Sequence, residues 1–142
     1  MTSKSLYQQD YHSWLHHHQR LLKESRFAEL DIENLIEELD AMSKKDEREL
    51  LSRLIILLAH LLKWQYQPTM QSNSWLSSIV EQRAQLDLLF EDIPSLKNKL
   101  PDSLSKSYPK AVAIAVKETG LSVFPEECPY TGQQLLDGDF YP

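Results

Sequence analysis

Glycine is scarce in this chain of 142 residues, which contains three, all at or beyond Gly120. A P-loop and a dinucleotide fingerprint both need glycine where the backbone approaches a phosphate closely. Residues 1–119 therefore contain neither motif, which excludes a Rossmann-type or kinase-like nucleotide site. No other cofactor motif occurs in the sequence, so we expect no cofactor.

Cysteine occurs once, as Cys128. A single cysteine rules out a disulfide framework, a CxxC pair and a cysteine-ligated zinc site, and it is typical of a reducing compartment. Cys128 also lies in a proline-rich tail, without a helix N-terminus or an adjacent histidine that would stabilise a thiolate. We therefore expect a cytoplasmic protein without a cysteine nucleophile.

Long apolar runs are missing as well. The longest, residues 54–62, is interrupted by His60, whereas a membrane span takes about 20 apolar residues. The first ten residues lack the apolar core of a signal peptide. We expect no association with a membrane.

Basic residues are outnumbered, since 15 Lys and Arg stand against 21 Asp and Glu and the formal net charge is -6. A nucleic-acid-binding domain usually carries a basic patch or stripe. The only hint of one is a set of lysines in the second half of the chain: Lys97, Lys99, Lys106, Lys110 and Lys117. Nucleic acid is therefore not expected as a partner.

Secondary structure is predicted to be helical, because no proline or glycine precedes Pro68 and leucine outnumbers valine and isoleucine together. The sequence predicts an all-α single domain, residues 1–142, with a helical bundle of about four to six helices in 1–120 and an irregular C-terminal strap in 121–142. The predicted helices are residues 6–23, a helix from Asp31 onward, residues 46–65, a helix capped by Ser72 or Asn73 that ends at Ile93, residues 101–120 with Gly120 as C-cap, and short helical segments near 95–100 and 131–136.

The second predicted helix is amphipathic. Its acidic residues Glu33, Glu37 and Asp40 form a stripe that we expect to be solvated. Its apolar residues are expected to be buried: Ile32, Leu35, Ile36, Leu39 and Met42.

The polar stretch 43–49 that follows has two interpretations. It is either a turn, with Ser43 and Asp46 spaced as a capping box, or the exposed middle of one long helix. The sequence leaves both open. The next helix, residues 46–65, is apolar nearly all round and is predicted to lie at the centre of the bundle.

Arg83 is the most unusual residue of the fourth predicted helix, because it falls in the middle of an apolar stripe. A buried guanidinium must reach the surface or meet a partner, since an unpaired buried charge is costly. Glu37 and Glu38 are the candidate partners. A buried ion pair that defines helix register is favoured over a ligand-binding or catalytic site.

His12 and His16 are i, i+4 neighbours, the spacing of helical zinc sites. They fall opposite the aromatic face of the first helix, so we expect them to face solvent, and no HExxH arrangement surrounds them. They remain weak candidates for metal ligands.

The other singled-out histidines are His18, on the aromatic face of the first helix, and His60, one turn from Lys63. Each is expected to be a core histidine satisfied by a hydrogen bond. Convergence with the helix-two glutamates would instead create an acid–base or metal-binding cluster. The members of this candidate polar cluster are His18, Glu37, Glu38, His60, Lys63 and Arg83.

Several segments together resemble a known family. They are Leu6-Tyr-Gln-Gln-Asp10 followed by Trp14, Asp31-Ile-Glu-Asn-Leu-Ile-Glu-Glu-Leu39, His60-Leu-Leu-Lys-Trp-Gln-Tyr-Gln-Pro68, Ser74-Trp75 with Gln82-Arg83, and Phe124-Pro-Glu-Glu-Cys-Pro-Tyr130 with Leu135-Leu-Asp137. In order and spacing they resemble the uncharacterised family known as domain of unknown function 29, found largely in cyanobacteria and also in other bacteria. The resemblance implies a small cytoplasmic helical bundle, with no established activity, cofactor or partner.

Three functional hypotheses follow. The first is a non-enzymatic interaction or structural protein whose partner is another protein or a second copy. The second is a metal-dependent or acid–base enzyme that uses a cluster of His60, Glu38 and Arg83. A regulatory module that touches nucleic acid ranks last, because it needs a basic surface.

Overall fold

The structure, a computed structural model, describes residues 3–142 apart from the side chain of Lys4. It consists of helices, most of them joined by short connections and the last two by the longer segment 120–131, and no β-strand occurs in this part of the chain. The helices are α1 (Ser3–Gln9), α2 (Tyr11–Lys23), α3 (Ile32–Tyr66), α4 (Asn73–Asp92), α5 (Leu100–Thr119) and α6 (Gly132–Leu136), with 3-10 turns at Phe27–Glu29, Pro68–Met70 and Pro94–Lys99. The prediction of an all-α fold is confirmed.

Capping residues define several helix ends. Ser72 caps α4 by accepting a hydrogen bond from the backbone N–H of Trp75, and Gly120 ends α5 in the left-handed conformation, at φ 72°. Thr131 and Gln134 form a capping box at the start of α6.

Asp10 divides the first predicted helix, residues 6–23, into α1 and α2. Its carboxylate accepts hydrogen bonds from the backbone N–H of Ser13, at 3.1 Å, and from the Ser13 hydroxyl, at 2.7 Å. The prediction of one helix was wrong because the Asp10 side chain competes for the backbone and starts a new helix.

The polar stretch 43–49 is the middle of one long helix, since α3 runs for 35 residues without a break. Salt bridges at helical i, i+4 spacing support it: Lys44 Nζ lies 2.8 Å from Asp40 Oδ2, and Arg53 Nη2 lies 3.9 Å from Glu49 Oε1. Of the two interpretations, the exposed helix is correct.

The chain divides within α3 into two compact units, one up to Lys44 and the other from Lys45 to Pro142. The core of the second unit is built on the C-terminal half of α3, which is buried on most sides, as predicted. Leucines from α3 pack there with α4, α5, α6 and the C-terminal strap; the core includes Leu54, Leu58, Leu61, Ile79, Leu86, Phe90, Tyr108, Ala111 and Leu135. None of the described helices is both long and apolar enough to cross a membrane.

The first unit has a much smaller core, in which Trp14, His18, Leu21 and Asp31 are buried. The burial predicted for the start of α3 was wrong: Ile32 is 54% exposed, Ile36 61%, Leu39 65% and Met42 64%. Leu35 is half-buried. Periodicity correctly identified a common face, but it carries no information on whether anything packs against that face.

Candidate functional site

His18 is buried in α2 with both ring nitrogens occupied. Its Nε2 accepts a hydrogen bond from the backbone N–H of Asp31 at 2.9 Å, and Nδ1 lies 3.1 Å from the carbonyl oxygen of Trp14. Because Nε2 must be the acceptor, the proton is on Nδ1 and donates to Trp14. His18 is therefore a structural histidine with no free nitrogen for a metal or a substrate.

Asp31 joins α2 to the start of α3. Its carboxylate accepts hydrogen bonds from the indole N–H of Trp14, at 3.3 Å, and from the amide of Asn34, at 2.7 Å. The backbone N–H of Asn34 also points to it, at 3.4 Å, in the manner of an N-cap. The buried polar groups of the first unit thus serve the junction between its helices.

Glu38 is held by two tyrosines. Tyr7 donates to Oε1 at 2.5 Å, and Tyr11 donates to Oε2. These hydrogen bonds to a carboxylate raise the pKa of Tyr7 to about 12 and also raise that of Tyr11, because the tyrosinate would repel Glu38. Glu37, its neighbour in the candidate polar cluster, is exposed.

Arg83 is buried in α4 and holds the C-terminal strap. Its Nε donates to the carbonyl of Leu135 at 2.9 Å, and Nη2 donates to the carbonyls of Phe140, at 2.7 Å, and Gln134, at 3.3 Å. The guanidinium also lies 5.2 Å from the ring centroid of Tyr141, and Nη1 is buried with no partner among the described atoms.

The prediction that Arg83 pairs with Glu37 or Glu38 was wrong. The hydrogen bonds of this arginine go to carbonyls at the C-terminal end of α6, where positive charge is favourable, and just beyond it. Burial lowers the pKa of its guanidinium, which nevertheless stays protonated at physiological pH.

Lys63 is buried on α3 and pairs with Glu118, a residue that no sequence pattern singles out. Its Nζ lies 2.6 Å from Glu118 Oε2 and 5.3 Å from the ring centroid of Trp75. His60, one turn earlier, donates from Nδ1 to the carbonyl of Ile56 at 2.8 Å. Desolvation, with a further contribution from Lys63, lowers the pKa of His60.

His12 and His16 are both exposed, as predicted, and their Nε2 atoms lie 3.1 Å apart. A metal site needs more than two exposed ligands to be selective. Across residues 3–142 no group of three or more His, Cys, Asp or Glu is placed to hold a metal ion.

Cys128 lines a cleft of about 320 Å³ together with Tyr108 and Tyr130. Burial raises the pKa of its thiol, which disfavours the nucleophilic thiolate. The thiol donates weakly to the carbonyl of Tyr130 at 3.4 Å.

The candidate polar cluster therefore consists of separate local arrangements. His18 and Glu38 have their partners in the first unit, whereas Lys63, His60 and Arg83 have theirs in the second. The first two are held at the junctions between helices of the first unit, and the last three make the helix and strap contacts described above for the second.

The feature that sequence reasoning missed is an apolar surface on α3. We call Ile32, Ile36, Leu39 and Met42 the α3 stripe; their spacing places them along one side of the helix, and all are more than half exposed. Exposed Glu33, Glu37 and Asp40, the acidic border, run beside it. One signal in the sequence could have indicated this exposure: acidic residues occur throughout residues 31–40, which is typical of a helix at the surface.

Comparison with known proteins identifies a family. The family model described as domain of unknown function DUF29 matches residues 6–141, nearly the whole chain. No curated protein and no solved structure matches the chain.

Proposed function

The chain belongs to the DUF29 family of domains of unknown function, and we propose that it acts by binding a helix of another protein rather than by catalysis. The observation that carries this proposal is the exposed α3 stripe.

Large apolar side chains in one row are unusual on the surface of a monomeric protein, where a large exposed apolar patch marks an interaction site. Ile32, Leu39 and Met42 follow the spacing that one helix uses to pack against another, and Ile36 widens the row. A partner helix laid along α3 would remove these side chains from water.

The small core of the first unit supports the same conclusion. Only four of its described residues are buried, and two of these, His18 and Asp31, are polar. Units of this size are marginally stable without a further source of buried apolar area. A partner on the α3 stripe would supply it and would stabilise the folded state by linkage.

The alternative, an acid–base or metal-dependent enzyme, has weaker support. Both nitrogens of His18 are occupied, Arg83 is used by backbone carbonyls, and Lys63 is paired with Glu118. These residues already have structural roles.

The test is a pair of double variants matched in exposure. Ile36→Ser with Leu39→Ser removes the centre of the α3 stripe, whereas Val80→Ser with Leu88→Ser removes two apolar side chains of α4 that are 53% and 54% exposed. Proteins bound by the tagged wild-type chain in its own cells are identified, and each interaction is then repeated with purified components. We expect binding to survive the α4 variant and to be lost in the α3 variant. Equal binding by both variants would refute the proposal.

A further inference from the structure

We infer that a cleft between the end of α3 and the start of α4 binds a neutral sugar ring of an oligosaccharide. The inference goes beyond the proposed function, because it concerns a small part of the second unit and does not use the α3 stripe.

The cleft has a volume of about 460 Å³ and is lined by Trp64, Gln71, Ser72, Asn73 and Leu76. Trp64 lies in the last turn of α3, Ser72 caps α4, and Leu76 lies in the first turn of α4. The connection between the two helices therefore brings apolar and polar side chains to one place. Sites for small molecules usually occupy about 300–1,000 Å³ and combine an apolar lining with a few polar groups.

Trp64 and Leu76 form the apolar part of the cleft. The indole of Trp64 is half-buried and packs against the ring of Tyr141 in the strap, with centroids 5.3 Å apart. Leu76 is 37% exposed. A sugar ring has one face of C–H groups that packs on an indole, and an indole fixed by its neighbours is preorganised for such a contact.

The polar part of the cleft consists of side chains that still have hydrogen-bonding capacity. Gln71 donates from Nε2 to the carbonyl of Trp64 at 3.0 Å, which fixes its amide and leaves Oε1 to accept. Ser72 Oγ accepts from the backbone N–H of Trp75 at 3.2 Å and keeps its hydroxyl proton to donate. The side-chain amide of Asn73 has no hydrogen-bond partner among residues 3–142 and both donates and accepts. Donors and acceptors thus lie side by side, as sugar hydroxyls require.

Charge is absent from the lining, since none of its five residues is acidic or basic. A phosphate, a carboxylate or an amine would find no counter-charge there. A nucleobase also stacks on aromatic side chains, but nucleotides and nucleic acids bring phosphates with them. A neutral sugar has both an apolar face and a rim of hydroxyls, so it matches the lining without needing a charged partner.

Exposure of the lining favours a sugar within a chain over an isolated small molecule. Gln71, Ser72 and Asn73 are all exposed, so the cleft is open on its polar side. A ring bound there keeps part of its surface in water, which leaves room for the units linked to it on either side.

The experiment titrates the full chain with three neutral hexasaccharides, namely an α-linked glucose oligomer, a β-linked glucose oligomer and an oligomer of N-acetylglucosamine. Adenosine and uridine are titrated in parallel. The NMR signal of the Trp64 indole N–H, assigned by its absence in Trp64→Phe, reports on the cleft. We expect one or more hexasaccharides to shift this signal saturably at millimolar concentration, with an affinity that is the same at low and high salt because no ion pair is formed.

The variants remove the polar side of the cleft. Gln71→Ala with Asn73→Ala is expected to weaken sugar binding at least about tenfold, since each neutral hydrogen bond contributes roughly a factor of five. Asn73→Asp keeps a residue that favours the start of a helix but loses the amide donors, and it should also bind more weakly. Asn98→Ala with Gln133→Ala removes two exposed amides outside the cleft and should bind like the wild type.

Three outcomes would overturn the inference. They are equal affinity in the wild type and in Gln71→Ala with Asn73→Ala, binding of the nucleosides in place of the hexasaccharides, and no shift with any hexasaccharide. None of them bears on the proposed function, because Ile36→Ser with Leu39→Ser should bind the sugar as the wild type does.

Discussion

The backbone N–H of Asp31, at the start of α3, donates to Nε2 of His18 in α2 at 2.9 Å. Thirteen positions separate the two residues in sequence, and the bond closes the turn between the helices of the first unit. An aromatic nitrogen thereby satisfies a buried backbone donor that has no partner within its own helix.

Replacing His18 tests this bond. His18→Leu leaves the N–H of Asp31 buried without an acceptor, which costs about 1–3 kcal/mol of stability. His18→Gln places an amide oxygen where Nε2 was, so this variant is expected to retain most of that stability. Amide hydrogen exchange at Asp31 provides the measurement: protection should fall in the Leu variant and persist in the Gln variant. Equal protection in the two variants would show that the bond contributes nothing.

Arg83→Met is expected to loosen the C-terminal strap, because the carbonyls of Leu135 and Phe140 lose their charged donor. Hydrogen bonds to charged groups contribute about 1.5–3 kcal/mol each, so a loss of at least about 2 kcal/mol is expected in urea unfolding. Limited proteolysis should detect earlier cleavage after Leu136. Arg48→Met, which removes an exposed arginine of α3, is the control and should behave like the wild type.

The two side chains of the Lys63–Glu118 pair differ in exposure. Replacing one should therefore change the stability of the protein by a different amount from replacing the other. The Lys63 side chain is 8% exposed and that of Glu118 is 52% exposed. Glu118→Gln leaves a buried cation without its counter-charge, whereas Lys63→Met leaves a carboxylate that water can solvate. Chemical denaturation should therefore find Glu118→Gln less stable than Lys63→Met. The reverse order would mean that Lys63 is stabilised mainly by Trp75 rather than by Glu118.

His60 makes the stability of the second unit depend on pH. Desolvation lowers its pKa in the folded state below the ordinary value of 6.5, so the unfolded chain binds the proton more readily. The contribution to stability is complete above pH 6.5 and is lost as the pH falls through the folded-state pKa. Urea unfolding at pH 7.5 and at progressively lower pH should show this loss, and His60→Gln should lack that component. A variant with the same pH profile as the wild type would refute the role of His60.

Helix boundaries were largely predictable from the sequence, because a cap depends on residues only a few positions apart. Ser72, Gly120 and Thr131 end or begin helices where local chemistry predicts. Asp10 obeys the same chemistry, yet the apolar periodicity running through it predicted an unbroken helix. Where two local signals competed at Asp10, the side-chain cap prevailed.

The candidate polar cluster was predictable only in part. The sequence identified Arg83 as a charge on an apolar face and Lys63 and His60 as neighbours, because those are properties of a single helix. It did not identify Glu118 or the carbonyls of Leu135 and Phe140, since these partners lie 52 to 57 positions from Arg83 and 55 from Lys63. A backbone carbonyl, moreover, is present at every residue and leaves no pattern.

The sequence by itself determined the all-helical class, most helix ends and which side chains share a face, because these depend on spacing and on local hydrogen bonding. Only the tertiary structure decided what each face meets. The same apolar periodicity is buried among leucines in the C-terminal half of α3 and exposed at Ile36 and Leu39 in its N-terminal part. Burial depends on which other segment of chain occupies the space opposite, and that is a property of long-range packing that no local pattern contains.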